Sequence, residues 1–397
     1  MIATKKLYPL DGLRGIAAMS VVIMHLCYTY AVDYDTRLEQ WSMSGGIFNE
    51  MITSTILALT NGTFSVWLFW MMSGSVLSIK FFQLKEKDRL SYIRKSAAKR
   101  YFRLLIPVAS SIFLAYFCMS NGLYSNKELA IEFGEIYVSG PISWLNSQWS
   151  FEPELESALS SSFWYTFFNY HSQPTYNSVL WTMGPELISS YFLFMVLPLL
   201  GDGKNRLFTY LGVFSFCFFF EHFYVLSFIA GALIIDIQRS FKFKSIHKSL
   251  YIILIPLIIY ALSKPNYGGY YYIIVSFVLV FLIVNFGLFN SILSSKLPSF
   301  LGKISFSLYL THMMMIGLVA SPTYFLSVKF ISENNSKLFS AICVLISSIV
   351  FSFLFYKSIE KASSRQAGKI VEKIDIYYSK LVFFVRENSK KNEKNSA

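Results

Sequence analysis

The chain alternates between long apolar runs and shorter segments that are rich in charged side chains. A transmembrane helix needs about 20 consecutive, mostly apolar residues. Ten runs approach or reach that length, at residues 12–32, 62–82, 103–123, 179–200, 207–221, 223–236, 249–263, 270–289, 304–328 and 338–356. The fifth, sixth and seventh runs are short, so a tight helical hairpin or tilted pieces are alternatives to full spans there. The pattern predicts an all-α, polytopic transmembrane helical bundle of about ten spans.

Composition supports lipid as the solvent for much of this surface. The 397 residues are 54% hydrophobic and 15% charged, whereas a soluble domain carries about 25% charged residues. The chain also contains 39 Phe and 26 Tyr, more aromatic side chains than a single soluble core can bury. The excess apolar surface therefore indicates an integral membrane protein.

The charges are distributed asymmetrically between alternate loops. The segments around the N-terminus, 83–103, 201–206, 237–248, 290–303 and the region after 356 carry 29 Lys and Arg against 9 Asp and Glu, and the intervening loops carry 5 against 12. The positive-inside rule then places both termini in the cytoplasm, in a multi-pass protein of the inner (cytoplasmic) membrane. The formal charge of +12 thus reflects topology, and no nucleic-acid partner is needed to explain it.

Two segments lie outside the apolar runs. Residues 124–178 form a long extracytoplasmic loop, and loops of this length are commonly functional. Its aromatic and acidic side chains suit sugar rings, with packing on the outer leaflet as the alternative; the aromatic ones are Trp144, Trp149, Phe151, Trp164, Tyr165, Tyr170 and Tyr176. The tail predicts an amphipathic helix on the inner leaflet, then a disordered stretch from about 387. We therefore divide the chain into a membrane domain, 1–362, and a cytoplasmic tail, 363–397.

Ionisable side chains inside a transmembrane span are costly and mark candidate functional sites. The first span, LDGLRGIAAMSVVIMHL, contains Arg14 and His25, which are eleven residues apart. At 3.6 residues per turn both side chains project from one helix face, roughly 16 Å apart along the axis. Asp11 lies on the same face and is positioned to pair with Arg14.

Small side chains separate the two ionisable groups on this face. Ala18 and Val22 lie between them, and Gly15 is beside them, so the helix offers a slot for a long, thin molecule. Arg14 suits the anionic head of such a molecule, and the neutral imidazole of His25 suits a general base for an incoming hydroxyl. The alternative is structural: His25 hydrogen-bonds a neighbouring helix, and Arg14 extends to the interface.

The first span also begins a longer resemblance. LDGLRGIAAMSVVIMH (10–25) resembles the opening signature of the integral membrane proteins of acyltransferase family 3, an Arg followed after ten residues by a His. Four further segments are similar to family motifs and follow in the same order: WLFWMMSGSVLS (67–78), KRYFRLLIP (99–107), LWTMGPELISSYFLFMVLP (180–198) and GKISFSLYLTH (302–312). One departure is Pro185 directly before Glu186, since a proline can kink a helix and so displace Glu186.

The resemblance assigns roles to the matching positions. It implies that Arg14, His25 and Glu186 are catalytic, and that the donor is bound by Arg14, Arg100, Arg103, Ser73 and Gly74. Structural or acceptor-orienting roles fall to Trp181, Tyr191, Ser305, Tyr309 and His312, and we add Asp11 to them as the expected partner of Arg14. Arginine suits phosphate because its planar guanidinium donates two parallel hydrogen bonds. No metal is expected.

Family members commonly transfer an acyl group from cytoplasmic acyl-coenzyme A to extracytoplasmic acceptors. The resemblance therefore implies a membrane O-acyltransferase with acetyl-CoA as donor, membrane lipid as surroundings, and a surface polysaccharide or lipopolysaccharide O-antigen as acceptor. In the expected mechanism His25 takes the proton from the acceptor hydroxyl; transient acylation of His25 is the alternative. Two other functions stay open: a transporter or flippase of a glycan or small molecule, and a transferase of succinyl. The sequence does not indicate an oligomeric state.

Overall fold

Helices make up the fold. A computed structural model describes residues 8–31, 34–134, 144–170, 175–201, 205–263 and 268–395, and no strand occurs in these ranges. The α-helices are α1 (Tyr8–Tyr30), α2 (Tyr34–Ser44), α3 (Gly46–Thr60), α4 (Gly62–Gln83), α5 (Glu86–Ser120), α6 (Asn126–Glu132), α7 (Trp144–Ser147), α8 (Leu155–Ser160), α9 (Thr166–Phe168), α10 (Met183–Val196), α11 (Arg206–Phe219), α12 (Phe223–Ser240), α13 (Tyr251–Leu262), α14 (Gly269–Phe286), α15 (Asn290–Leu293), α16 (Lys296–Ser327), α17 (Glu333–Phe355) and α18 (Lys361–Asn395).

Eight stretches of the described chain are long and apolar enough to cross a membrane, and α11 and α13 are apolar but shorter. In lipid a backbone must satisfy its own hydrogen bonds, which favours helices for such runs. The predicted all-α polytopic bundle is confirmed. We call the end at which α1 begins the basic side, and the opposite end, which carries the described residues 121–134, 144–170 and 175–177, the loop side.

The sixth apolar run is longer than the sequence predicts. That run was expected to end at Asp236, but α12 continues to Ser240. Asp236 is buried, and its carboxylate lies 3.2 Å from Arg206 Nη1 and 3.4 Å from Arg239 Nη2. These two arginines satisfy the buried charge, so the helix does not end there.

Glycines allow the central helices to approach closely. The backbones of α1 and α16 meet at Gly15 and Gly302, where an added Cβ on Gly15 would lie 2.4 Å from the Gly302 nitrogen. A similar contact joins α4 to α12, since a Cβ on Gly74 would lie 2.1 Å from the carbonyl oxygen of Phe228. In lipid, helix association depends on such close packing. These contacts fix α1, α4, α12 and α16 as the centre of the bundle.

Two expectations concern the ends of helices. Pro185 does not kink its helix, because it lies in the first turn of α10, directly after a 3-10 turn at Ser178–Thr182; the missing N–H is tolerated there. The other concerns the tail: α18 extends to Asn395, and the disorder expected from about residue 387 stays a prediction. Once α18 has formed its first turns, each added residue gains one backbone hydrogen bond.

The start of α18 belongs to the folded bundle. It packs against the basic-side half of α5, and Ala367 and Val371 on this face are buried. The outward residues Ile374 and Tyr377 are exposed, as an amphipathic helix requires. The domain boundary drawn between residues 362 and 363 therefore falls inside a packed helix, and docking of its outer face on lipid stays a prediction.

Candidate active site

A cavity of about 480 Å³ opens inside the bundle on its basic side. Its walls come from α1, α4, α5, α10, α16 and the junction between α17 and α18. Seven of the residues singled out in the sequence line it: Arg14, Ser73, Arg100, Arg103, Glu186, Ser305 and Tyr309. The fold thus brings all five motif segments to one place.

The charges around this cavity do not balance. Five cationic and two acidic side chains line it, which leaves a formal net charge of +3: Arg14, Arg100, Arg103, Lys361 and Arg365 against Glu186 and Glu360. A partly enclosed space with an excess of one sign of charge concentrates ligands of the opposite sign. The cavity is therefore suited to an anionic molecule.

One of these cations is already paired within the protein. The guanidinium of Arg100 forms an ion pair with the carboxylate of Glu186, and its Nε donates a hydrogen bond to Ser190 Oγ at 2.9 Å. Both charged side chains are largely buried. The pair joins α5 to α10 and neutralises much of the charge of Arg100, so Arg14 and Arg103 contribute more of the excess positive charge.

One wall of the cavity was missed in the sequence. Tyr356 and Glu360 are the first and last residues of a π-helical turn, and Lys361 and Arg365 follow on α18. Ser307 donates a hydrogen bond to Glu360 Oε2 at 2.6 Å, which holds the carboxylate against α16. Such π turns occur frequently at functional sites. The sequence feature that could have indicated this wall is Glu360 itself, an acidic residue that closely follows the last apolar run.

Toward the loop side the cavity becomes apolar and ends at Tyr309. The hydroxyl of Tyr309 donates to the carbonyl oxygen of Val179 at 2.9 Å and lies 3.1 Å from Thr182 Oγ1. The ring centroid is 6.2 Å from that of His312 on the next turn of α16. Tyr309 therefore separates the cavity from His312, and the apolar lining beside it consists of Val66, Phe69, Trp70 and Met183.

Beyond Tyr309, two histidines from distant parts of the chain form a hydrogen-bonded pair. His25 Nδ1 lies 2.9 Å from His312 Nε2, and His312 Nδ1 lies 3.0 Å from the carbonyl oxygen of Leu308. His312 is fully buried, and His25 is 9% exposed. Within the described ranges, no group of three or more His, Cys, Asp or Glu side chains is arranged to hold a metal ion.

An aromatic side chain from the loop side covers His25. The indole of Trp144 stacks on the imidazole with ring centroids 5.2 Å apart and planes 12° apart, and Tyr28 lies beside both rings. Trp144 was singled out in the sequence as a loop aromatic, but its contact with His25 was not predicted. The imidazole is thus enclosed by aromatic rings on the side that faces the loop.

Six of the candidate site residues named from the sequence do not line the main cavity: Asp11, His25, Gly74, Trp181, Tyr191 and His312. Gly74 provides the close approach of α4 to α12, which explains why a residue without Cβ is present there. Trp181 packs edge-on against Trp70, a lining residue, at 5.7 Å. Its contribution to the cavity is therefore to support the wall.

The small-residue slot predicted on α1 is filled by protein. Gly15 receives the backbone of Gly302, and Ala18 and Val22 are fully buried and lie outside the cavity lining. The prediction that this face carries a long, thin ligand between Arg14 and His25 is therefore wrong. Small residues on a membrane helix allow helix packing as readily as ligand binding, and here α16 occupies the space.

A second cavity, of about 150 Å³, lies between α5 and the loop-side segment. The π-helical turn Ser161–Tyr165 contributes to its wall. Seven of its ten lining residues carry a hydroxyl group: Ser157, Ser161, Tyr165, Thr166, Tyr170, Thr175 and Tyr176. Four of the loop aromatics noted in the sequence line this cavity: Phe151, Tyr165, Tyr170 and Tyr176.

Comparison with known protein families agrees with this geometry. The family model described as an acyltransferase domain, that of acyltransferase family 3, matches residues 7–357. No curated protein and no solved structure matches the chain. The family match includes every motif that contributes to the cavity and ends shortly before Glu360. The chain therefore belongs to acyltransferase family 3 and is an acyltransferase, with the helices of a multi-pass membrane protein.

Proposed function

We propose that the protein is a membrane O-acetyltransferase. It takes the acetyl group from acetyl-CoA on the cytoplasmic side and transfers it to a hydroxyl of an extracytoplasmic glycan, such as a surface polysaccharide or a lipopolysaccharide O-antigen. The observation that carries this proposal is the cavity of about 480 Å³, which is cationic at the basic side and apolar toward the histidine pair. An acyl-CoA has the same polarity, an anionic head and a small neutral acyl end.

The proposed donor site uses Arg14 and Arg103 as its main phosphate ligands. Arginine binds phosphate through two parallel, charge-assisted hydrogen bonds. Arg100 acts through its ion pair with Glu186, so we assign that pair to shaping the site and not to proton transfer. Lys361 and Arg365 extend the same positive surface along α18.

The apolar end favours acetyl over succinyl. Val66, Phe69 and Trp70 line this end, and Tyr309 closes it. A succinyl group would place a second carboxylate among these side chains, and burying an unpaired carboxylate is costly. Arg100, whose partner Glu186 follows Thr182 by one turn, is already paired and does not neutralise a second carboxylate.

In the proposed reaction His25 is the general base. The acceptor hydroxyl gives its proton to the imidazole while its oxygen attacks the thioester carbonyl carbon. The carbon–sulfur bond breaks, the acetyl group stays on the acceptor oxygen, and the proton passes from His25 to the departing sulfur. Because Tyr309 lies between the cavity and His312, the thioester reaches His25 only when this ring turns away from Val179 and Thr182.

The acceptor is proposed to arrive from the loop side. Trp144 lies against His25 there, and the smaller cavity combines Phe151 and three tyrosines with several hydroxyl groups. Aromatic faces together with hydrogen-bonding groups suit a sugar ring, whose faces are apolar and whose rim is polar. The excess of Lys and Arg on the basic side supports the assignment of that side, and of both termini, to the cytoplasm.

Mass spectrometry of the envelope glycan tests the proposal. Cells that express the protein should carry a glycan 42 Da heavier per modified hydroxyl, the mass of an acetyl group in place of hydrogen, and cells that express His25→Gln should not. A transporter or flippase would change how much glycan reaches the surface without adding this mass or consuming acetyl-CoA. A gain of 100 Da would instead identify succinyl as the transferred group.

A further inference from the structure

The hydrogen bond between His25 and His312 has a defined donor and a defined acceptor. A carbonyl oxygen only accepts hydrogen bonds, so His312 Nδ1, 3.0 Å from the Leu308 oxygen, must carry the hydrogen. In a neutral imidazole the other nitrogen is then an acceptor. His312 Nε2 therefore accepts a hydrogen bond from His25 Nδ1 at 2.9 Å.

The same reasoning identifies the tautomer of His25. Because Nδ1 of His25 donates to His312, the lone pair of the neutral ring lies on Nε2. His312 has no nitrogen left for a substrate proton, since one binds a carbonyl and the other binds His25. Of the two rings, only His25 can accept the proton.

We propose that His312 is a positioning residue that holds His25 in the tautomer with a free Nε2. This role rests on the proposed acyl transfer. It goes beyond the sequence-based assignment of His312 to structure or acceptor orientation, because it names the atom through which the residue acts. When His25 becomes an imidazolium, its Nδ1–H bond to His312 persists, and charge-assisted hydrogen bonds are stronger than neutral ones.

The surroundings of the pair explain why a neutral residue suits this role. His312 is fully buried and His25 nearly so, and Trp144, Tyr28 and Tyr309 are the aromatic rings that face them. A carboxylate in the place of His312 would bury a charge before any substrate arrives, which is costly in such surroundings. A second imidazole orients the base through a hydrogen bond alone.

Two substitutions at His312 separate the positioning role from packing. His312→Phe keeps an aromatic ring but has no acceptor for His25 Nδ1–H, whereas His312→Gln offers its side-chain oxygen as an acceptor. The assay is transfer of radiolabel from [¹⁴C]acetyl-CoA to glycan in membrane vesicles, with acetyl-CoA affinity measured in parallel on purified protein. General base catalysis contributes about 10²–10⁴-fold in rate, so His312→Phe should lose about 10²-fold or more, and His312→Gln less than about tenfold.

The double variant with His25→Gln gives the decisive comparison. If His312 acts through His25, adding His312→Phe to His25→Gln should cause no further loss of transfer, because residues that act as a unit are not additive. A further loss in the double variant, or equal activity of His312→Phe and His312→Gln, would overturn the positioning role. Wild-type protein that transfers no label would instead overturn the proposed function itself.

Discussion

Two ionisable residues on one helix occupy opposite environments. Arg14 is partly exposed in a wide cavity with an excess of positive charge, whereas His25, three turns further along α1, is enclosed by Trp144, Tyr28 and His312. A charged ligand binds well where water still reaches it, because it keeps part of its hydration. Proton transfer benefits from a dry site, where hydrogen bonds are electrostatically stronger. In the proposed mechanism the fold therefore separates donor binding from chemistry along a single helix, with Tyr309 between the two regions.

The largest effect is expected at His25, the residue that is enclosed by other side chains. His25→Gln keeps a hydrogen-bonding side chain but cannot take the acceptor proton, so the rate of acetyl transfer should fall about 10²–10⁴-fold. Acetyl-CoA affinity should not change, because His25 lies outside the donor cavity. His222→Gln is the matched control, since His222 is exposed on the loop side and should retain full activity. Transfer by His25→Gln at the wild-type rate would refute the role of His25 as the general base.

The ion pair between α5 and α10 controls stability more than affinity. Arg100→Ala leaves the carboxylate of Glu186 buried without its partner, and breaking a buried pair in this way costs about 3–5 kcal/mol. The midpoint of thermal unfolding in detergent should fall clearly. Adding Glu186→Gln removes the orphaned charge and should restore part of the loss. A double variant that is less stable than Arg100→Ala would contradict this structural role.

In the cationic cavity, Arg103→Ala should weaken acetyl-CoA binding. A hydrogen bond to a charged group contributes about 1.5–3 kcal/mol, which corresponds to roughly a tenfold to hundredfold loss of affinity in a titration of the purified protein. Lys99→Ala is the matched control: Lys99 is one turn away on α5 but does not line the cavity. Equal affinities of the two variants would show that Arg103 contributes only through the general positive field.

The smallest effect is expected on α18. Lys361 and Arg365 line the cavity but are exposed, and exposed ion pairs contribute about 0.2–1 kcal/mol each. Lys361→Ala combined with Arg365→Ala should therefore weaken acetyl-CoA binding only a few-fold, and the loss should disappear at high salt. Lys369→Ala, one turn further on the same helix, should bind as the wild type does. A loss that persists at high salt would indicate direct, desolvated phosphate contacts.

This comparison also shows what the sequence allowed us to predict. Helical periodicity and the cost of charges in lipid singled out Arg14, and the resemblance to family motifs added Arg100, Arg103 and Glu186; all four line the cavity. These signals are local, because each depends on one span and its spacing. The predicted bundle followed in the same way from the lengths of the apolar runs.

Features that depend on contacts between helices were not predictable in this way. His25 and His312 are 287 residues apart in the chain, and spacing within one span does not show which rings will meet. The small-residue face of α1 was compatible with a ligand or with a helix, and only the packing of α16 decides between them. The wall formed by Glu360 and Arg365 depends on a π-helical turn, which has no sequence signal of its own.

The separation of the two regions is tested most directly by supplying the donor to one side of the membrane. Acetyl-CoA does not cross a sealed bilayer, so [¹⁴C]acetyl-CoA added to inverted vesicles meets the cytoplasmic face, and added to right-side-out vesicles it meets the loop side. The account predicts labelled glycan in sealed inverted vesicles and none in sealed right-side-out vesicles until a detergent opens them. Labelling in sealed right-side-out vesicles would contradict a donor site on the basic side of the bundle.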